Sequence, residues 1–258
     1  ALSLVGTALA ECATEVAGVD ALEDAGELPV GEGHVEVELA DVAPGHLGVV
    51  RCKLSLARKP RLGSRRLEER DLGLAGIGTV DTEQTEVRIL FSQDSLYIGV
   101  TCLDSEPEKW LGYQRRRDEF LQADDRFMWN IDTYNNQQSG YFFEMNPSGL
   151  MGDALRGAGF QNRQWDGIWN AKARRSEIGW TLEIEIPFRT LNFDPNAEFW
   201  GINFQRSVKR KNEESLWMGW GRNQGLNRLS NAGMLTGLRD IHMGRGLGLK
   251  PYAVATAE

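Results

Sequence analysis

The sequence predicts an all-β chain whose main body, residues 81–240, folds as an antiparallel β-sandwich of jelly-roll-like type. Three observations carry that expectation. From Thr82 onward, short segments of alternating apolar and polar residues recur at spacings of 8–15 residues. Gly, Asn, Asp and Pro residues stand between them, where tight turns need them. The 10 Phe, 8 Trp and 5 Tyr residues all lie at or after Phe91, so the side chains that supply most of a core's buried area belong to this part of the chain.

Taken in order, Glu86–Phe91 (EVRILF) sends charged groups to one side and apolar groups to the other, as a strand with one wet face must. Ser95–Cys102 (SLYIGVTC) follows the turn residues Gln93-Asp94 and reads as its partner. Arg126–Tyr134 (RFMWNIDTY) and Gly140–Met145 (GYFFEM) flank the polar segment Asn135–Ser139, a hairpin signal with a five-residue loop. Ile168–Arg175 and Gly179–Pro187 (GWTLEIEIP) form a second hairpin across Ser176-Glu177-Ile178. In its second arm Trp180, Leu182, Ile184 and Ile186 alternate with Thr181, Glu183 and Glu185, and Pro187, lacking an N–H for the ladder, ends it. Phe199–Val208 (FWGINFQRSV) and Ser215–Trp220 complete the set.

Residues 1–80 are a different kind of sequence. They hold no aromatic residue, and their charge is segregated. Residues 1–50 carry acids from Glu11 to Asp41 and no Lys or Arg, whereas residues 51–70 carry eight basic residues beside Glu68 and Glu69. Blocks of like charge usually form a solvated or weakly ordered face. A nucleic-acid- or lipid-binding arm is the sharper reading of the basic block, but neither stacking aromatics nor helical amphipathicity accompanies it. The first ten residues, ALSLVGTALA, resemble the apolar tail of a secretory signal ending in a small-x-small site, without a preceding basic region.

Composition removes several function classes. A net charge of −8 argues against a general nucleic-acid binder, which needs a cationic surface to displace counterions. No run of 18 apolar residues exists to cross a membrane as a helix. Cys12, Cys52 and Cys102 form neither a disulfide framework nor a CxxC metal site. No GxSxG, HExxH or P-loop signal is present, and His242, the one histidine after residue 80, leaves haem ligation without an axial pair.

The second half resembles the family 9-like carbohydrate-binding domain that precedes an outer-membrane β-barrel in many bacterial proteins. The matching stretches are TEVRILFSQDSLYIGVTCLDSEPEKW, RRRDEFLQADDRFMWNIDTY, GYFFEMNPSGLMGDA, QWDGIWNAKARRSEIGWTLEIEIPFRTLNF and FWGINFQRSVKRKNEES, which run almost continuously from Thr85 to about Leu238. Their order and spacing, rather than any one motif, carry the likeness. Gly244–Val254 (GRGLGLKPYAV) is similar to the point where the barrel's first strand begins, so residues 241–258 read as the start of a barrel that this chain lacks. The resemblance implies a β-sandwich that binds a poly- or oligosaccharide, placed in the periplasm, at the outer membrane or outside the cell. Two departures stand out. The family's opening Asp-Gly-x-Leu-Asp-Glu-x-x-Trp segment has no counterpart in Arg51–Val80, which marks residues 1–80 as foreign to the family and implies a bare sheet edge. The stacking Trp that precedes the acidic pair in sugar-binding family 9 modules is replaced here by Leu121 and Gln122.

The candidate sites follow from residue types. Asp124, Asp125 and Asp132, with Asp118 nearby, are hard oxygen ligands that suit a structural Ca²⁺, as related sugar-binding sandwiches use. Asp125 and Asp132 are seven apart, however, more than about 20 Å along an extended strand. The alternative is that Asp125 pairs with Arg115–Arg117. A sugar platform needs flat aromatic faces with polar groups beside them. Trp165 and Trp169, flanking Asp166 and Gly167, offer two indoles, with Asn146 and Arg117 as hydrogen-bonding partners, although Trp169 entering a strand also reads as core. An enzyme would be a glycoside hydrolase with Asp125 and Glu144 as its carboxylate pair, about 5 to 9.5 Å apart across a cleft. The reading favoured by the sequence is a non-catalytic glycan-binding module; the others are that hydrolase, or a structural or protein-interaction domain.

Overall fold

The computed structural model describes residues 34–36, 48–49, 54–55, 57–58, 82–157, 159–218 and 225–244. These residues form strands and short 3-10 turns, and no helix among them is long and apolar enough to cross a membrane. The strands are β1 (His34–Glu36), β2 (Gly48–Val49), β3 (Leu54–Ser55), β4 (Ala57–Arg58), β5 (Thr85–Phe91), β6 (Ser95–Leu103), β7 (Arg126–Asp132), β8 (Gly140–Met145), β9 (Met151–Gly157), β10 (Phe160–Asn162), β11 (Asn170–Ser176), β12 (Gly179–Pro187), β13 (Phe199–Val208), β14 (Glu213–Leu216) and β15 (Gly233–Thr236). They pair into two sheets. One runs β11-β12-β6-β5, with β2 and β3 both along β5. The other runs β1-β15-β13-β7-β8-β9-β10, with β14 on β13 and β4 on β14. Among the described pairings only β1 with β15 is parallel.

The expected all-β antiparallel sandwich is therefore the fold, and period-two alternation is what builds its core. β7 sends Phe127, Trp129 and Ile131 between the sheets, β8 sends Tyr141 and Phe143, and β12 sends Trp180, Leu182, Ile184 and Ile186 from the other side. Trp129 stacks on Phe143 at 5.3 Å between centroids and meets the edge of Trp169 at 5.6 Å. Cys102 lies in this core, and burial pushes its thiol up to about 11, so it is no nucleophile.

Three features differ from the sequence expectation. The first hairpin's loop spans residues 133–139 rather than five residues. Asp132 ends β7 early because its carboxylate accepts the N–H groups of Tyr134 and Asn136, both at 3.3 Å, and of Gln137 at 2.7 Å. Strands β9, β10 and β15 are not in the sequence expectation, because Gly152, Asp153 and Gly157 interrupt apolar alternation in β9 and because β10 and β15 are only 3 and 4 residues long. The edge of β5 is not bare. Gly48–Val49 pairs with Leu90–Phe91, and Leu54–Ser55 pairs with Glu86–Val87, so chain from residues 1–80 covers it in part. The rest of the expectation of a weakly ordered residues 1–80, and the barrel-start expectation for 245–258, fall outside the described residues.

The face of the larger sheet turned away from the core is also partly covered. Met128, Phe142, Ala154, Leu216 and Leu226 form a second apolar cluster there. Leu226 reaches it from the segment after residue 225, whose backbone carbonyl at Leu226 accepts the amide of Asn130.

Candidate functional site

The outer face of the larger sheet carries a cleft with a volume of about 820 Å³. Its floor comes from positions whose parity turns them away from the core: Arg126 and Met128 on β7, Phe142 on β8, Arg156 on β9, Gln161 on β10 and Gln205 on β13. Gln122, Gln137 and Gln138 add amides at the rim, and residues 225–230 form the opposite wall. Phe120 also lines the cleft. The Arg163 guanidinium lies over its ring, 4.9 Å from the centroid, yet the residue stays 62% exposed, leaving aromatic surface open to a ligand.

A buried ion triad underlies this floor. Glu144 is fully buried and accepts from Arg126 Nη1 at 2.9 Å and Arg163 Nη2 at 2.7 Å. Gly152 makes room for it, since a Cβ there would sit 3.1 Å from Glu144 Cγ and 3.2 Å from Arg163 Nη2. Arg156 stands alongside, its guanidinium over the Phe142 ring at 4.5 Å. Burial pulls the Arg156 guanidinium down to about 10.

Apart from Glu144, the residues picked out from sequence are elsewhere, and most have structural employment. Trp169 is 4% exposed and lies in the core, with its indole N–H donating to Asp153 Oδ2 at 2.9 Å. Trp165 is half-buried on the same core side, 5.1 Å from the Tyr141 ring. The two indoles thus form no open platform. Asn146 is fully buried: its Oδ1 accepts Ser148 N–H at 3.0 Å and Leu150 N–H at 2.8 Å, and its amide donates to Asp124 Oδ2 at 2.8 Å. Arg117 donates to Asp153 Oδ2 at 2.6 Å and to the Gly167 carbonyl at 3.1 Å, which clamps the segment before β11 instead of a ligand.

The acidic residues do not fit a shared calcium ion. Asp124 accepts the N–H groups of Tyr113 at 2.9 Å and Gln114 at 3.0 Å; Asp125 accepts those of Leu111 at 2.9 Å and Lys209 at 2.6 Å. Asp132 caps its own loop. Each carboxylate already meets the positive ends of backbone dipoles, and no group of three His, Cys, Asp or Glu side chains among the described residues is placed to hold a metal. Asp125 pairs with backbone rather than with Arg115–Arg117, and burial pushes its carboxyl up against the pull of those donors. Melting the protein in millimolar CaCl₂ and in EDTA should accordingly give the same Tm; a rise of several degrees with calcium would mean that an ion displaces these N–H contacts.

The hydrolase pair is not assembled either. Asp125 stands just before β7, beside the core-side groups Cys102 and Arg206, whereas Glu144 pairs in register with Met128 on the outer face. A sheet separates the two carboxylates, so they cannot flank one glycosidic bond.

A scan against protein-family models finds no match, and a search of curated proteins finds none either. Among solved structures the chain is similar to a protein of Bacteroides uniformis ATCC 8492 described as a candidate carbohydrate-binding protein. Their TM-score is 0.51 at 11% identity, over 71% of this chain and 86% of that one. The two chains share a fold. Two structures of a family 9 carbohydrate-binding module from Caldicellulosiruptor kristjanssonii, with cellotriose and with glucose, are similar at TM-scores of 0.46 and 0.44 and identities of 11% and 12%. They cover 84% and 76% of this chain and 94% and 98% of theirs. The β-sandwich expected from the sequence is the fold this chain shares with the Bacteroides uniformis protein.

Sequence reasoning missed the cleft residues themselves. The signal was available in the parity of β7 and β8: if Phe127, Trp129 and Phe143 face inward, then Arg126, Met128, Phe142 and Glu144 must share the other face. Arg156 and Gln161 lie on β9 and β10, which were not expected as strands, so no parity could be assigned to them.

Proposed function

We propose that this chain is a non-catalytic module that binds a poly- or oligosaccharide in the outer-face cleft of its larger sheet, within a protein working in the periplasm, at the outer membrane or outside the cell. The observation that carries the reading is the combination in one concave site of an open aromatic ring, Phe120, with the side-chain amides of Gln122, Gln137, Gln138, Gln161 and Gln205. A pyranose presents C–H faces and a ring of hydroxyls. The first wants a flat apolar surface and the second wants groups that both donate and accept, which amides do. The carbohydrate-binding description of the Bacteroides uniformis protein agrees with this use of the fold.

Isothermal titration of the full chain with a panel of neutral and acidic oligosaccharides tests the proposal. Phe120→Ala should weaken the best ligand about tenfold, the worth of one lost stacking contact, while circular dichroism stays unchanged because the ring is mostly exposed. Binding that survives Phe120→Ala intact but disappears with Trp165→Ala would move the site to the core-side indole. A folded protein that binds no saccharide would sink the module reading.

A further inference from the structure

The charges of this cleft do not balance, and the imbalance points to a class of ligand. Among the described residues, four guanidinium groups line it, from Arg126, Arg156, Arg163 and Arg228, against Glu144 beneath and Glu214 at the side. Glu144 is held between Arg126 and Arg163, so its single charge already faces two cations. Arg156 makes no hydrogen bond or ion pair with any described residue, and its buried Nε has no acceptor. A local excess of positive charge on a chain of net −8 is not a by-product of composition. The anion near Arg156 is Glu144, whose carboxylate is already bonded by Arg126 and Arg163, so this partly buried guanidinium is left short of negative charge, which costs free energy. The Phe142 ring beneath Arg156 stabilises its position but supplies no acceptor.

We propose that the cleft is selective for an anionic saccharide, with Arg156 as the residue that receives the anionic group. Resting on the glycan-binding reading above, this names the ligand's chemistry: a sugar bearing a carboxylate, as in a uronic acid, or a sulfate ester. Both present two or more oxygens at the spacing of the guanidinium fork, which a hydroxyl pair of a neutral sugar does not match in charge. Arg126 and Arg163 keep Glu144 from repelling the incoming anion. The amides of Gln161 and Gln205 remain for the hydroxyls.

The test compares affinities of the full chain for trigalacturonate, a sulfated galactose oligosaccharide and neutral galactotriose by isothermal titration. At 50 mM NaCl the better acidic ligand should bind tenfold or more tightly than the neutral one, and that advantage should shrink at 500 mM. In Arg156→Gln the ratio of acidic to neutral affinity should fall close to one, and Arg156→Lys should restore part of it. Which acidic ligand is preferred distinguishes a carboxylate site from a sulfate site, and either preference supports the proposal. Equal affinity for acidic and neutral trisaccharides in the unaltered protein, or a preference unchanged by Arg156→Gln, would overturn it while leaving glycan binding standing. Binding of none of the three would instead count against the module reading itself. Should Arg156→Gln fail to fold, the salt dependence of the unaltered protein and the Arg156→Lys ratio decide the matter.

Discussion

Replacing Arg206 by Met is expected to cost the fold about 3 to 5 kcal/mol, the range for removing one partner of a buried charged network, and to lower its Tm by roughly 10 °C. Arg206 is 1% exposed and lies on the core side of β13, at one end of the sandwich. Its Nη1 reaches across to the other sheet, to the carbonyls of Leu103 at 2.8 Å and Gln84 at 3.1 Å and the hydroxyl of Thr85 at 3.2 Å. Met fills similar volume but donates nothing, so those acceptors are left in a dry place. Asp104 would keep Arg210, which approaches both of its oxygens at 2.5 and 2.8 Å, so the loss falls on the strand carbonyls. Urea unfolding followed by Trp fluorescence measures this. A loss below 1 kcal/mol would show that water enters that end of the sandwich and replaces the guanidinium.

The same end makes stability depend on acid. Burial works to raise the Glu83 carboxyl, but the Lys211 ammonium and the Ser105 hydroxyl and N–H outweigh it and hold the group below the usual carboxylate range. A depressed folded value means that the contribution is complete above the unfolded value of about 4.3 and disappears as pH falls through the folded one. Glu83→Gln should therefore be less stable than the unaltered chain at pH 7, with the gap closing toward pH 3.

The parts of the fold that were legible are those where one residue type could do only one thing. β12 kept its expected bounds because four apolar residues alternate with Thr and Glu, and because Pro187 cannot continue a ladder. β9 was illegible for the opposite reason. Gly152 is there to clear Glu144 and Arg163, Asp153 to bind an indole, and Arg156 to line a cleft, so its residues answer to partners distant in sequence rather than to strand propensity. The candidate site failed in the same way. Trp165 and Trp169 beside a carboxylate look from sequence like a sugar platform, and only their packing on Tyr141 and Trp129 reveals that both indoles face inward. Phe120 gave no such signal, because an exposed Phe in an irregular segment is indistinguishable from one about to be buried.

That inward-facing group yields the second large effect. Asp153→Ala should cost about 3 kcal/mol, because it strips the acceptor from several donors at once in a buried place. The Asp153 side chain is fully buried, and its oxygens take the Trp169 indole N–H at 2.9 Å, the Gly167 N–H at 3.1 Å and Arg117 Nη2 at 2.6 Å. These three donors belong to the approach to β11 and to the loop before β7, so the carboxylate joins two segments that share no strand pairing. Asp153→Asn keeps the volume yet turns an N–H₂ toward groups that are themselves donors, and it should recover little of the loss. Arg117→Met should cost only about 1 kcal/mol, since its side chain is 39% exposed and water can replace it. The ordering separates two uses of the same residues. If Trp169 and Arg117 served a ligand, Arg117→Met would reduce saccharide affinity with stability intact; as a clasp they should reduce stability in proportion to burial, with Asp153→Ala far more damaging than Arg117→Met and the affinity of the folded fraction unchanged by the latter.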